Sequence, residues 1–214
     1  MNYFKYLKWV GAALVSLALG TSALAQDKDA KKKDAAPTGG GDEMAMMMEL
    51  AKPGPNHKLL LHSVGTWNYA MKWWMDPGAP PTESSGTAKF REAMGGRYLI
   101  SEYLGMAPMP GPDGKMTPQE FKGLGTDAFD NAKKKFVSTW IDNMGTGIMM
   151  AIGTYDAKTK TITYLSEYEM MPGKITKMRQ TVKFEDDDHT VYEFFEIQDG
   201  KDVKNMEIKA TRVK

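Results

Sequence analysis

Phe136-Val137-Ser138-Thr139-Trp140-Ile141-Asp142-Asn143-Met144-Gly145-Thr146-Gly147 is the stretch whose reading decides the fold. Side chains alternate between the two faces of a strand, so Phe136, Ser138, Trp140 and Asp142 share one side and Val137, Thr139, Ile141 and Asn143 the other. The β-branched residues favour a strand, and the Asn and Gly residues of 143–147 make a turn into a second strand beginning near Ile148. This predicts a hairpin in the middle of the folded part, with an aromatic ring and a carboxylate on one face.

Strand patterns continue on both sides of it. Downstream, Ile148, Met150, Ile152 and Thr154 share a face, and strands follow at 161–169, 175–185, 190–197 and 203–213. The turn around Tyr155-Asp156 repeats the style of the one around Phe129-Asp130. Upstream, residues 66–75 alternate cleanly, with Trp67, Tyr69, Met71, Trp73 and Met75 on one face. Ser84, Gly86, Ala88 and Phe90 share one face of the next strand, opposite Ser85, Thr87, Lys89 and Arg91. Residues 97–105 are amphipathic on neither face, which predicts contacts on both sides. Within 121–129, Gly123, Gly125 and Ala128 match a dinucleotide-binding fingerprint, but the polar turn 130–134 follows instead of the helix such a site requires. The glycines are read as relieving crowding where a sheet bends. About ten strands with turns at regular spacing predict an all-β antiparallel meander, and closure into a barrel is its simplest way of removing exposed edges.

The N-terminus has a different character. Lys5 and Lys8 precede an apolar run, 9–19, that leads to Ala23-Leu24-Ala25, the pattern of a secretory signal peptide cleaved after Ala25. Residues 26–42 are mostly Asp, Lys, Ala and Gly, with too little apolar surface to offset ordering, and are read as a disordered linker. The folded domain is expected over 43–214, in a periplasmic or secreted protein with no stable membrane insertion after signal cleavage. The chain has no cysteine, and its 28 basic and 27 acidic residues give no electrostatic case for a nucleic-acid partner. Asp42 is placed as the cap of a helix over 43–52 whose Met44, Met47 and Met48 pack inward, and Asn56 as the cap of a second helix over 57–63. These short helices are expected to cap one end of the barrel. The methionines suggest a copper question, but Met44, Met46, Met47 and Met48 stand too close together on a helix to converge on one ion, and no metal or cofactor is assigned.

Several motifs together resemble a bacterial family. They are Pro53-Gly54-Pro55 with His57-Lys58-Leu59, Gly65-Thr66-Trp67, Gly95-Gly96-Arg97-Tyr98-Leu99, Ser138-Thr139-Trp140-Ile141-Asp142, Gly153-Thr154-Tyr155-Asp156, and Met206-Glu207-Ile208 with Thr211-Arg212. The family is known as domain of unknown function fifteen-seventy-nine, and the resemblance implies a calycin-like barrel without assigning a catalytic residue. The Gly65-x-Trp67 entry is similar to that of lipocalins, which implies that Trp67 packs against Arg212.

No residue pattern selects a catalyst. There is no Gly-x-Ser-x-Gly, His57, His62 and His189 are scattered, and Asp186-Asp187-Asp188-His189 reads as a solvated turn. The expected function is binding of a small apolar or amphipathic molecule inside the barrel, with Trp67, Tyr69, Trp73, Tyr103 and Trp140 as walls and Arg97 or Asp142 as polar anchor. The alternatives are an enzyme using Asp142 with Arg97 in the same cavity, a salt bridge between those two residues that closes one end, and a structural domain whose barrel is filled by side chains.

Overall fold

The computed structural model describes residues 40–110 and 115–214, which fall in one compact unit; the expected signal segment and nearly all of the linker lie outside the described residues. Two helices, α1 (Gly40–Leu50) and α2 (Pro55–Leu61), precede ten strands. These are β1 (Gly65–Trp73), β2 (Thr82–Ala93), β3 (Tyr98–Pro110), β4 (Met116–Asp130), β5 (Lys135–Asp142), β6 (Met149–Asp156), β7 (Thr161–Met171), β8 (Lys174–Phe184), β9 (His189–Gln198) and β10 (Lys201–Arg212). Each pairs antiparallel with the next, and β1 pairs with β10, so the sheet is a closed barrel. Closure leaves no edge strand.

The central hairpin forms as its residues predict: β5 ends at Asp142, and Trp140 pairs with Met149 across the turn. The two turns of similar style are also alike in structure. Asp130 Oδ1 accepts the Ala132 and Lys133 N–H groups, Asp156 Oδ1 accepts the Lys158 N–H, and each turn closes on a lysine at positive φ, Lys134 and Lys160.

One end of the barrel is a packed floor. Trp67, Phe90, Leu99, Phe136, Ile162, Val182, Phe184 and Ala210 are buried there with Leu60 of α2. Trp67 Nε1 donates to the Ser63 carbonyl just after α2 (2.8 Å), and the His57 ring meets Phe129 edge-on. α2 therefore caps this end as expected, but it begins with Pro55 after an N-cap at Gly54, whose N–H donates to His57 Nδ1 (3.0 Å). Proline suits the first helical turn because its missing N–H would be unpaired there anyway, and this moves the start ahead of Asn56.

Other expectations are corrected. α1 starts at Gly40, so Asp42 sits inside its first turn and the linker boundary moves back by a few residues. Its methionines do not pack inward: Met44, Met46, Met47 and Met48 are each more than half exposed. What holds α1 is its C-terminal end, where Asn131 Nδ2 donates to the carbonyls of Leu50 and Lys52 (both 2.9 Å). β3 was expected to be covered on both sides, yet its outer Tyr98 and Leu104 are exposed while Leu99, Ser101 and Tyr103 face inward.

Candidate functional site

Above the floor the interior is not packed solid. By register, Tyr69, Tyr103, Asp127, Ser138, Trp140, Tyr164, Gln180, Tyr192 and Phe194 all face inward near mid-barrel. Tyr69 and Tyr164 are buried, but the other seven keep accessible surface despite being surrounded by sheet on every side. A barrel whose middle is open space leaves such surface on its inward side chains.

The aromatic rings form a chain up one wall. Phe90 of the floor meets Tyr103 (5.8 Å between centroids), Tyr103 meets Tyr69 (5.5 Å) and Trp140 (5.3 Å), and Trp140 stacks on Phe121 (6.4 Å). The rings lie flat because glycines stand opposite them. A Cβ on Gly123 would overlap the Trp140 ring, one on Gly86 would stand 2.6 Å from the Tyr69 hydroxyl oxygen, and one on Gly153 2.6 Å from Tyr164 Cδ1. The glycines of β4 therefore accommodate an aromatic side chain of the neighbouring strand; relief of a bend, the expectation from sequence, is not what their contacts show.

Of the expected site residues, Tyr69, Tyr103 and Trp140 come together, and Trp73 stands half-buried at the open end. Trp67 belongs to the floor, 2 % exposed and covered by the Arg212 guanidinium at 4.3 Å, so it is beneath the open space and not a wall of it. Asp142 faces inward, but both its oxygens are engaged: Oδ2 accepts Trp140 Nε1 (2.9 Å) and Oδ1 the Met144 N–H (2.9 Å). It fixes the indole. Arg97 is outside, on the β2–β3 turn, donating to the Met94 carbonyl (2.9 Å). Asp142 is level with Tyr103 through Gly123, and six residues of β3 at roughly 3.3 Å each separate that level from Arg97, about 20 Å. A joint role for Asp142 and Arg97, whether catalytic or as a salt bridge closing one end, is thereby overturned.

The polar group that does sit in the middle of the barrel is Asp127. It pairs with Leu99 on β3 and with Ser138 on β5, and the hydroxyls of Ser138 and Tyr164 face it. Burial pushes its carboxyl up to about 6, against the opposing pull of those two hydroxyls. Tyr103 and Tyr192 face each other nearby, and burial raises both phenols well above the usual value. The sequence carried a signal for this that was missed. Asp127 shares the phase of Gly123 and Gly125 in β4, and a charged residue in the inward phase of a strand is uncommon without a reason. Asp186 to His189 form an exposed turn in which Asp186 Oδ1 accepts the Asp188 N–H (2.8 Å), as expected.

Residues 52–212 match the model of a family described as "Protein of unknown function (DUF1579)". The chain belongs to the DUF1579 family. Among solved structures, this DUF1579 chain is similar to Rv2717c from M. tuberculosis, at 14% identity and a TM-score of 0.51, over 76% of this chain and 100% of that one. It is also similar to the S-type phycobiliprotein lyase CPES from Guillardia theta, at 9% identity and a TM-score of 0.45, over 78% of this chain and 97% of that one. The first likeness shows the calycin-like fold and nothing of the chemistry. No curated protein matches the chain in sequence.

Proposed function

We propose that this DUF1579 protein is a binding module that holds one small, mainly apolar molecule inside its barrel, acting in the periplasm or outside the cell. The observation that carries the reading is the accessible surface kept by Tyr103, Trp140, Tyr192 and Phe194 at mid-barrel, where a filled core would bury them. An aromatic interior closed by a floor and open at the other end suits a ligand that buries most of its surface, with a few polar groups to orient it.

The test combines native mass spectrometry of protein purified from its own compartment with a thermal-shift screen of lipids, isoprenoids and aromatic metabolites. A ligand that binds only the native state raises the melting temperature by mass action. Binding is expected for at least one class, and Trp140→Ala should abolish the shift while the barrel remains folded by circular dichroism. A protein that carries no small molecule and responds to no class would leave a purely structural barrel.

A further inference from the structure

At mid-barrel the inward faces of the strands carry charge of one sign only. From the Trp67 level up to that of Glu196, the described residues include three inward carboxylates, Asp127, Asp142 and Glu196, and no inward lysine or arginine; Lys174 and Lys201 share the inward phase only at the exposed rim beyond Glu196. Scarcity does not explain this, since the chain has 28 basic residues against 27 acidic ones. Away from the rim and the floor, the strand cations lie on the outer faces, where Lys204 is bound by Glu193 and Glu207, and Arg179 by Asp202.

The three carboxylates are not equivalent. Asp142 is engaged by the indole and a turn N–H, and Glu196, paired with Met178, lies toward the open end. Asp127 remains, in mid-barrel. The groups around it from every neighbouring strand are Leu99 and Tyr103 of β3, Ser138 of β5, Tyr164 of β7 and Tyr192 of β9; none is cationic. A carboxylate in such surroundings is costly to ionise unless a positive or strongly donating group joins it. The walls add a second preference, because the faces of Tyr69, Tyr103 and Trp140 attract a cation.

We propose that the molecule held in the barrel is a cationic amphiphile, an apolar body bearing a protonated nitrogen whose N–H groups donate to the Asp127 carboxylate. This rests on the reading that the barrel binds a small molecule at all. A fatty-acid anion of the same length would place a second negative charge beside Asp127, and a neutral alcohol would offer a single weaker donor. With its carboxyl shifted to about 6, Asp127 is mostly ionised at pH 7.5 and mostly protonated at pH 5, so retention of the cation weakens on acidification.

The probes are decylamine, decanol and decanoate, each below its micelle concentration, titrated into the mature protein by calorimetry at pH 7.5 and pH 5.0. The amine is expected to bind at least tenfold more tightly than the alcohol at pH 7.5, with decanoate weakest and the amine's advantage shrinking at pH 5.0. Asp127→Asn should remove that advantage, bringing the amine's affinity down to about that of decanol, its fold checked by melting temperature. Ser138→Ala, which keeps the carboxylate, should retain the preference for the amine. If decanol binds but the amine is not preferred, or if the preference survives Asp127→Asn, the cationic ligand class is wrong while the binding barrel stands. If none of the three probes binds at either pH, both readings fail.

Discussion

The guanidinium of Arg212 covers the Trp67 ring, 4.3 Å from its centroid, and the two residues are also direct partners in the β1–β10 ladder. Arg212 then reaches past the ring to the carbonyls of Val64 (2.6 Å) and His62 (2.7 Å), while its Nε donates to the Asp187 carbonyl (3.0 Å). One side chain thus ties the first strand, the last strand, the residues after α2 and the β8–β9 turn.

Arg212→Lys should therefore lower stability by about 2 to 3 kcal/mol, combining a lost stacked cation of about 0.5 to 2 kcal/mol with loss of the fork that serves several carbonyls, each about 1 kcal/mol. Urea denaturation at neutral pH measures it. A change below about 0.5 kcal/mol would mean that the floor is held by α2 and its apolar contacts alone.

Gly123→Ala places a methyl group where the Trp140 ring lies. The indole must move off the β4 wall, straining its bond to Asp142, with an expected loss of about 1 to 3 kcal/mol, typical of overpacking. Trp140 emission should shift as the ring moves. Gly145→Ala, in the β5–β6 turn with nothing near its would-be Cβ, is the control and should leave both readouts unchanged.

Asp127→Asn should stabilise the ligand-free protein, and the gain should depend on pH. A carboxyl held at about 6 in the folded state and near 4 in the unfolded chain binds more protons when folded between those values. Its favourable contribution is complete below about pH 4 and is lost as pH rises through 6. The variant's advantage should therefore be small at pH 4 and reach about 3 kcal/mol at pH 7. Opposite trends come from Asp130, Asp186 and Glu207, held below the usual carboxylate range by the Lys133 N–H, the Asp188 N–H and the Lys204 ammonium, and from His57, whose burial lowers it. Those groups are common to both proteins and cancel in the difference. A difference flat from pH 4 to 7 would show that Asp127 is solvated like a surface carboxylate.

Asn131→Ala should release α1. Its amide holds the carbonyls of Leu50 and Lys52, and residues 41–49 of α1 are exposed. Limited proteolysis should then cut between 40 and 52 faster than in the parent, with the barrel's melting temperature lowered by no more than a few degrees. Loss of the barrel on cutting would show that α1 is integral to it.

The barrel was legible because period-two alternation and turn residues are local signals: Trp67, Tyr69, Met71 and Trp73 announced an inner face without reference to any other strand. The Trp67–Arg212 pair came from a family likeness. What could not be read was level along the barrel axis. Alternation places Arg97, Asp142 and Asp127 relative to a strand's faces but is silent on height, which depends on the register of the intervening strands. Faces alone therefore bring Arg97 and Asp142 together although about 20 Å of strand separates them, and do not single out Asp127. The α1 methionines misled for another reason, since helical spacing of apolar residues shows that a stripe exists and not that anything covers it.

Ring closure has a kinetic side. Nine of the ten strand pairings join neighbours in the chain, whereas the tenth joins Trp67 to Arg212, 212 − 67 = 145 positions apart. The local hairpins are cheap in chain entropy, and the last pairing is not, so it should form late. Until it does, β1 and β10 are two open edges of a curved sheet, each able to pair with the same edge of another molecule. The chain's most aggregation-prone moment is thus the interval before Arg212 reaches Trp67, and any variant that slows that encounter should lower the yield of refolding at high protein concentration before it measurably changes equilibrium stability.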